Sequence, residues 1–254
     1  PLNLDSEGGT ILAGADVILA KNWIAGLYVG GQSRESTGSS PDYNADGPRF
    51  GTYGLFTFAE HAYVSGVLGG GTSDVSVTRP LPFGQSASGD TDGFDWFARL
   101  ETGYTFTPGG VNLTPFAGVQ YSRAAYDGFS ESSDSVFALS IEDWASDRFE
   151  GFIGGDVSYP IPTGNQYVLL PYARLMLRDT FDQTDDELNS SLLGGSGPGF
   201  GFSPETINGD GFEYGIGVRF SATETGWSLN RGYTGFSGDD SDSEQVNLGF
   251  SWDL

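Results

Sequence analysis

The chain lacks cysteine altogether, has a single histidine and is poor in basic residues, with 11 lysines and arginines against 34 aspartates and glutamates in 254 residues. The net charge of −23 argues against a nucleic-acid partner, because phosphates would be repelled by so acidic a surface. The one imidazole, His61, falls in a predicted short turn, so a serine nucleophile would have no general base near a cleft. We therefore expect no catalytic residues, no cofactor and no metal-binding residues.

Long apolar runs are also missing, since no stretch approaches the ~20 consecutive apolar residues that a spanning helix requires. This excludes a helical membrane protein. It does not exclude a membrane β-barrel, in which only alternate residues face lipid and the mean hydropathy stays ordinary. The mean hydropathy of −0.23, the 40 glycines and the 36 aromatic residues (19 Phe, 12 Tyr and 5 Trp) are compatible with such a barrel.

Alternation with a period of two dominates the chain, which is typical of β-strands with one apolar face. At 94–106 the apolar set includes Phe94 and Leu100, while Asp95 and Glu101 fall on the opposite face. The eleven strands predicted in this way are 10–19, 23–31, 50–58, 62–70, 94–106, 111–122, 149–159, 167–178, 212–220, 227–236 and 246–254. In 227–236, Arg231 falls in phase with apolar neighbours, so we expect a bulge or register change there.

The connections between these strands alternate between short and long. The short ones are 18–22, 59–61, 107–110, 160–166 and 222–226, and the long ones are 32–49, 71–93, 123–148, 179–210 and 237–244. Outer-membrane barrels have short periplasmic turns and long external loops, whereas a sandwich has no reason to alternate. The prediction is a single domain over 1–254: an all-β, antiparallel, up-and-down transmembrane barrel.

Single-chain bacterial barrels have an even number of strands, so eleven strands predict a twelfth that precedes Pro1 or is otherwise unaccounted for. The segment 136–143 is an alternative strand, but it would break the alternation of loop lengths. We interpret it as part of a long, hairpin-like external loop.

Charged residues of both signs fall on the lumenal face of the predicted barrel, where they could pair across strands and line a polar tunnel. The predicted lumen-lining residues are Asp95, Arg99, Glu101, Glu150, Arg174 and Arg219. The alternative is a charge lattice that only stabilises the barrel. Strand glycines such as Gly103, Gly118, Gly154 and Gly217 are expected to leave smooth inner walls.

Outward aromatic residues near strand ends, such as Trp23, Tyr104 and Trp227, are expected at the lipid headgroup level. Acidic runs in the long connections, such as 182–187 and 239–242, are expected to be solvated. A second possibility is that divalent cations bridge these carboxylates to lipopolysaccharide.

The last eight residues, NLGFSWDL, resemble the C-terminal insertion signal of bacterial outer-membrane barrels, with the pattern carried by Asn247, Gly249, Trp252 and Leu254. GGTILAGADVILAKNWIAGLYVG at 8–30, FARLETGYTF at 97–106 and LTPFAGVQYSRAAYDGFSES at 113–132 resemble the translocator β-domain of autotransporters, the type V secretion proteins. FALSIED, DRFEGFIGGDVSY and LLPYARLMLRDTF continue the likeness to Phe181. The chain ends in leucine, where this family more often ends in Phe or Trp.

The resemblance implies a twelve-stranded barrel that the barrel assembly machinery inserts into a Gram-negative outer membrane. It also implies a segment in the lumen and an N-terminal passenger domain, and neither the passenger nor the linker helix is present in this chain. The implied partners are outer-membrane lipid, lipopolysaccharide, the assembly machinery and the protein's own passenger or linker.

The implied function is a translocator pore that anchors the passenger and helps to export it to the cell surface, with long loops outside and a periplasmic C-terminus. The alternatives are a passive outer-membrane channel or structural barrel without a passenger, and a soluble β-sandwich used for binding. The sequence upstream of Pro1 would distinguish the first two, and extraction without detergent would indicate the third.

Overall fold

The computed structural model describes residues 4–38, 42–133, 135–164, 166–193, 199–202, 209–222, 224–238 and 241–252, and it is an all-β protein over these residues. The strands are β1 (Leu4–Ala20), β2 (Trp23–Gly38), β3 (Asp42–Phe58), β4 (Ala62–Pro80), β5 (Ser86–Tyr104), β6 (Asn112–Tyr126), β7 (Phe129–Ser130), β8 (Leu139–Ile141), β9 (Trp144–Ser158), β10 (Ile161–Thr163), β11 (Tyr167–Asp185), β12 (Leu188–Leu192), β13 (Phe200–Phe202), β14 (Gly211–Ala222), β15 (Trp227–Gly238) and β16 (Asp242–Trp252). Short 3₁₀ turns lie at Pro82–Gly84 and Pro108–Gly110. Within the described ranges no helix has the length and apolar character to cross a bilayer.

The main sheet contains twelve antiparallel strands and follows the chain as a meander, in the order β1-β2-β3-β4-β5-β6-β9-β11-β14-β15-β16, with the short β10 paired to β11. Its eleven long strands are the eleven that the alternation predicted. Among the described residues no ladder joins β1 to β16, so each of them has one unpaired edge. The sheet is strongly curled, because Arg174 on β11 contacts Glu101 on β5 although β6 and β9 lie between them.

The two faces of this sheet have the polarity predicted for a membrane barrel rather than for a soluble sandwich. On the convex face, apolar side chains such as Ile153 and Ile216 are 62% and 60% exposed. On the concave face, Glu101 and Glu150 are only 8% and 2% exposed. A soluble protein would bury the first pair and expose the second, whereas hydrocarbon covers apolar side chains without a second sheet.

Aromatic rings form two girdles on the convex face. The girdle at the end with the short turns includes Trp23, Phe56, Tyr104, Tyr167, Phe220 and Trp227, which make ring contacts within and between neighbouring strands. The second girdle includes Trp96, Tyr121, Phe149, Phe181, Tyr214 and Tyr233. Ten residues separate Phe149 on β9 from Tyr159 just after its end, which is roughly 33 Å along a strand and about 25 Å along the membrane normal at a typical barrel tilt. This height matches the apolar band of an outer-membrane barrel.

Three of the five connections predicted to be long are mostly strand. β2 and β3 pair as far as Ser36 and Tyr43, β4 and β5 pair as far as Pro80 and Ser86, and β15 and β16 pair as far as Ser237 and Asp242. The prediction of these boundaries was wrong because strands above the apolar band are wet on both faces. Serine, threonine and aspartate then continue the ladder without the apolar alternation by which strands are detected.

The remaining two long connections build a second, four-stranded sheet in the order β13-β12-β8-β7. The segment 136–143 contributes β8 to this sheet and no strand to the main one, as interpreted from the sequence. Glu131 ties this sheet to the β4–β5 hairpin, since its carboxylate accepts hydrogen bonds from Arg79 Nε at 2.9 Å and Nη2 at 2.6 Å.

The expected bulge at Arg231 is absent. The β15 ladders run without a register shift on both sides, and Arg231 lies opposite Val218 on β14 and Leu248 on β16. The side chain is therefore on the convex, apolar face, where an arginine near the bilayer midplane costs roughly 2–4 kcal/mol. The ladders of β15 with β14 and with β16 are continuous, so they leave no place for the extra residue that a bulge needs.

Candidate functional site

The concave face holds a packed group of charged and aromatic side chains contributed by β4, β5, β6, β9 and β11, here called the lumenal cluster. The Glu101 carboxylate is its centre. It accepts hydrogen bonds from Arg99 Nη2 at 2.9 Å, Arg174 Nη2 at 2.7 Å and the Tyr63 hydroxyl at 2.7 Å. Arg174 also donates to Asp156 Oδ2 at 3.1 Å. Two guanidinium groups of like charge are thereby held together by carboxylates across four strands.

Both arginines lie on aromatic rings. Arg99 Cζ is 3.9 Å from the centroid of Phe152, and Arg174 Cζ is 3.9 Å from that of Phe116. Arg99 Nη2 also lies 3.5 Å from the sulfur of Met176, which is fully buried. Cation–π contacts of this kind are worth roughly 0.5–2 kcal/mol, more when they are shielded from water. The cluster is therefore packed as well as charged.

The rings in turn lie on glycines of the neighbouring strand. Phe116 is opposite Gly154 and Phe152 is opposite Gly118, so β6 and β9 exchange two Gly–Phe pairs. A Cβ atom added at Gly154 would be 2.5 Å from Phe116 Cζ, which is closer than real Cβ contacts. The absence of a side chain is what lets each ring lie flat on the sheet.

Gly103 and Gly217 are covered in the same way by Tyr63 and Tyr172. The prediction that strand glycines leave smooth inner walls was wrong, because an aromatic ring packs against each of these glycines. The sequence alone does not show which ring lies on which glycine, since that pairing depends on strand register.

A second charged group lies beside the lumenal cluster. Glu150 is 2% exposed, and its carboxylate is 3.8 Å from Arg178 Nη1 and 4.0 Å from Arg148 Nη1. Gln120 Nε2 donates to Glu150 at 3.4 Å, and Arg178 Nη2 donates to Glu213 at 3.0 Å. This group extends the ion-paired wall from β9 and β11 to β14.

The structure places all six predicted lumen-lining residues on the concave face, but it brings only three of them together, namely Arg99, Glu101 and Arg174. Glu150 belongs to the neighbouring group, and Asp95 pairs with Arg49. Arg219 is exposed on β14, and no ion pair among the described residues includes it.

Sequence reasoning missed the apolar part of the cluster. Phe116 and Phe152 are 3% and 6% exposed and form a buried core with Met176. The signal was available, because Phe116 falls between Thr114 and Gly118 in the lumenal phase of β6. The prediction assumed a water-filled interior, and for that reason it included only charged residues on the lumenal face.

The predicted insertion signal lies on the last strand as far as the structure describes it. Asn247 and Gly249 are on the concave face, where Asn247 Nδ2 donates to Thr234 at 3.3 Å. Trp252 is on the convex face, 65% exposed and opposite Trp227. Leu254 lies outside the described residues. The role of these residues in insertion stays a prediction.

Comparison with known families identifies this architecture. The model of the autotransporter beta-domain family matches residues 2–234. The chain belongs to the autotransporter β-domain family. It is accordingly a translocator domain of type V secretion, a β-barrel of the bacterial outer membrane, and the domain itself is non-catalytic.

Curated relatives of this autotransporter domain are much longer proteins. Esterase EstA of Pseudomonas aeruginosa is 27% identical over 268 residues, covering 98% of this chain and 39% of that protein. Outer membrane protein A of Rickettsia rickettsii is 30% identical over 115 residues, covering 45% of this chain and 5% of that protein. The chain thus spans well under half the length of these relatives.

Solved structures show the same fold. The translocator domain of the autotransporter NalP from Neisseria meningitidis superimposes with a TM-score of 0.79 at 17% identity, covering 98% of this chain and 82% of that one. The β-domain of the Bordetella autotransporter BrkA gives a TM-score of 0.75 at 19% identity, covering 99% of this chain and 92% of that one. At these identities the likeness concerns the fold alone.

Proposed function

We propose that residues 1–254 form a single translocator barrel that anchors an N-terminal passenger in the outer membrane and helps to export it to the cell surface. The observation that carries this proposal is the pairing of an apolar, aromatic-banded convex face with a charged concave face in a chain of the autotransporter β-domain family. The first face suits lipid and the second suits an aqueous passage for polypeptide.

The proposed orientation puts the short turns and the end of β16 in the periplasm and the long connections outside. This orientation is supported because all the short connections, including the three-residue turn that contains His61, lie at one end of the sheet. β1 begins at the opposite end, where Leu4 is opposite Gly38. The twelfth strand predicted ahead of β1 would cross back to the periplasm, so a passenger ahead of that strand would reach the surface through the lumen.

We further propose that the lumen-lining charges interact with the translocating passenger or its linker. Arg99 and Arg174 are unsuitable for testing this by charge reversal, because both are packed into the lumenal cluster and their loss would disturb folding. Arg219 is exposed on the same face, so Arg219→Glu changes the charge of the passage with little effect on packing. We expect slower passenger export with unchanged heat-modifiable gel mobility. Glu60→Lys in a short turn, which is proposed to be periplasmic and lies outside the passage, is the control.

The proposed partners in assembly are the barrel assembly machinery, which would recognise the last strand, and lipopolysaccharide at the outer rim. Support for the first comes from the exposed edge and exposed apolar side chains of β16. Support for the second comes from the acidic residues in the connections at the rim, whose carboxylates could be bridged to lipopolysaccharide by divalent cations.

Export is tested with an epitope placed at the N-terminal end of the mature protein as the cell expresses it, ahead of the predicted twelfth strand. The proposal predicts that the epitope is digested by protease added to intact cells, while the barrel stays in the membrane fraction. Protection of the epitope in cells whose barrel is folded would indicate a passive channel or structural barrel instead. Labelling of cysteines introduced at Glu60 and Phe83 with an impermeant reagent tests the orientation, since only Phe83 is expected outside.

A further inference from the structure

Arg231 is a basic residue in the middle of the membrane-facing surface. It is exposed on the convex face of β15, with Val218 and Leu248 beside it on the adjacent strands and Leu229 and Tyr233 along its own strand. Trp227, in the girdle of the short-turn end, is four residues away, which is roughly 13 Å along the strand and about 10 Å along the membrane normal. The Arg231 backbone thus lies near the centre of the apolar band.

No carboxylate in the described part of the chain forms an ion pair with Arg231, although seven other arginines there are paired. An arginine side chain in a protein keeps its positive charge, so it cannot avoid the unfavourable transfer into hydrocarbon by losing a proton. Its remaining route is to extend along the barrel surface to an anion at the headgroup level.

The surroundings distinguish the two directions in which the side chain could extend. Toward the long connections the convex face carries Glu244, which lies opposite Gly235 on β15. Its carboxylate would repel an anionic ligand. Toward the short turns the face is formed by Leu229, Phe250 and the girdle tryptophans, with no carboxylate on these strands among the described residues. An anion is therefore favoured on the side of the short turns.

We propose that Arg231 binds the headgroup phosphate of a glycerophospholipid in the leaflet on the side of the short turns. A phosphate accepts two parallel hydrogen bonds from the planar guanidinium fork, and the acyl chains of the lipid would cover the apolar strip around Leu248 and Phe250. This inference goes beyond passenger export, and it depends only on the convex face being in contact with lipid.

The test compares Arg231→Met with Arg219→Met. Both variants lose one positive charge from adjacent strands, but Arg219 lies on the concave face. Urea unfolding of each protein is measured in vesicles of phosphatidylcholine and in vesicles of digalactosyldiacylglycerol, a lipid without phosphate, with matched acyl chains. We expect Arg231→Met to lower the folding equilibrium constant at least tenfold in phosphatidylcholine and to raise it in the galactolipid. Arg219→Met should behave alike in both lipids.

A second readout does not depend on refolding. Native mass spectrometry of the protein released from phosphatidylcholine nanodiscs should show one retained phospholipid fewer for Arg231→Met than for the wild type and Arg219→Met. Arg231→Lys should retain it partly, because an ammonium group binds phosphate without the bidentate geometry.

Other outcomes would overturn the proposal. If Arg231→Met is more stable than the wild type in both lipids and retains the same number of phospholipids, the arginine only destabilises the protein and binds no lipid. If Glu244→Gln reproduces the effects of Arg231→Met, the partner is that carboxylate. If wild-type stability in the galactolipid is restored by inorganic phosphate or by lipopolysaccharide but not by phosphatidylcholine, the ligand is a free ion or lipopolysaccharide.

Discussion

The most direct test of the lumenal cluster is the adjacent pair of glycines on β9. Gly154 faces the lumen, and a Cβ atom there would be 2.5 Å from Phe116 Cζ and would also overlap the carbonyl oxygen of Leu175. Gly155 faces lipid, and the nearest atom to its Cβ would be the Thr114 carbonyl oxygen at 4.0 Å. The two alanine substitutions are therefore chemically identical and differ only in the face on which the methyl group lies.

The expected magnitude follows from what Gly154→Ala displaces. Forcing one methyl group into a packed site costs about 1–3 kcal/mol. Moving the Phe116 ring also weakens its contact with Arg174, which is worth roughly 0.5–1 kcal/mol. Gly155→Ala should instead stabilise the protein by about 0.4–1 kcal/mol, because alanine restricts the unfolded chain. The gain from restricting the unfolded chain applies to both variants and cancels between them, so we expect them to differ by roughly 1.5–4 kcal/mol in the free energy of unfolding.

The assay is urea unfolding in phospholipid vesicles, followed by tryptophan fluorescence and by heat-modifiable gel mobility. Phe116→Leu in the Gly154→Ala background is the coupling control, since the shorter side chain makes room for the methyl group and should recover part of the loss. The reasoning is refuted if the two alanine variants agree within about 0.5 kcal/mol, a difference no larger than the additivity error for independent sites.

Three further outcomes are expected. Glu101→Gln should lower the free energy of unfolding by about 3 kcal/mol, because it leaves two neighbouring guanidinium groups without their shared carboxylate, whereas Glu60→Gln in an exposed turn should not change it. Arg79→Met should accelerate proteolysis of the connection that contains Glu131 without altering heat-modifiable mobility, and protease resistance equal to wild type would contradict the role of that ion pair. Trp252→Ala should reduce assembly in cells several-fold while refolding into vesicles changes little, and equal losses in both assays would show that the residue acts through stability alone.

The strands and their faces could be predicted from the sequence because the membrane imposes the same requirement on every one of them. Ile153, Leu175 and Ile216 are on three different strands, yet for each one the alternation of the adjacent residues predicts an outward side chain. Strand ends beyond the apolar band were not readable, since water on both faces removes the alternation. Only the ladders decided where the Arg231 side chain lies. They show that β15 keeps its register and that a charged residue is on the apolar face.

The sequence by itself determined the compartment, the meander of eleven long strands and the face on which each side chain lies, because a period of two is a local property that needs no knowledge of distant residues. Tertiary structure alone decided which lumenal residues meet. Arg174 reaches Glu101 across 73 residues of chain, and Phe116 lies on Gly154 rather than on another glycine, because sheet curvature and register set those contacts. Curvature and register arise from the whole set of ladders, and no single strand encodes them.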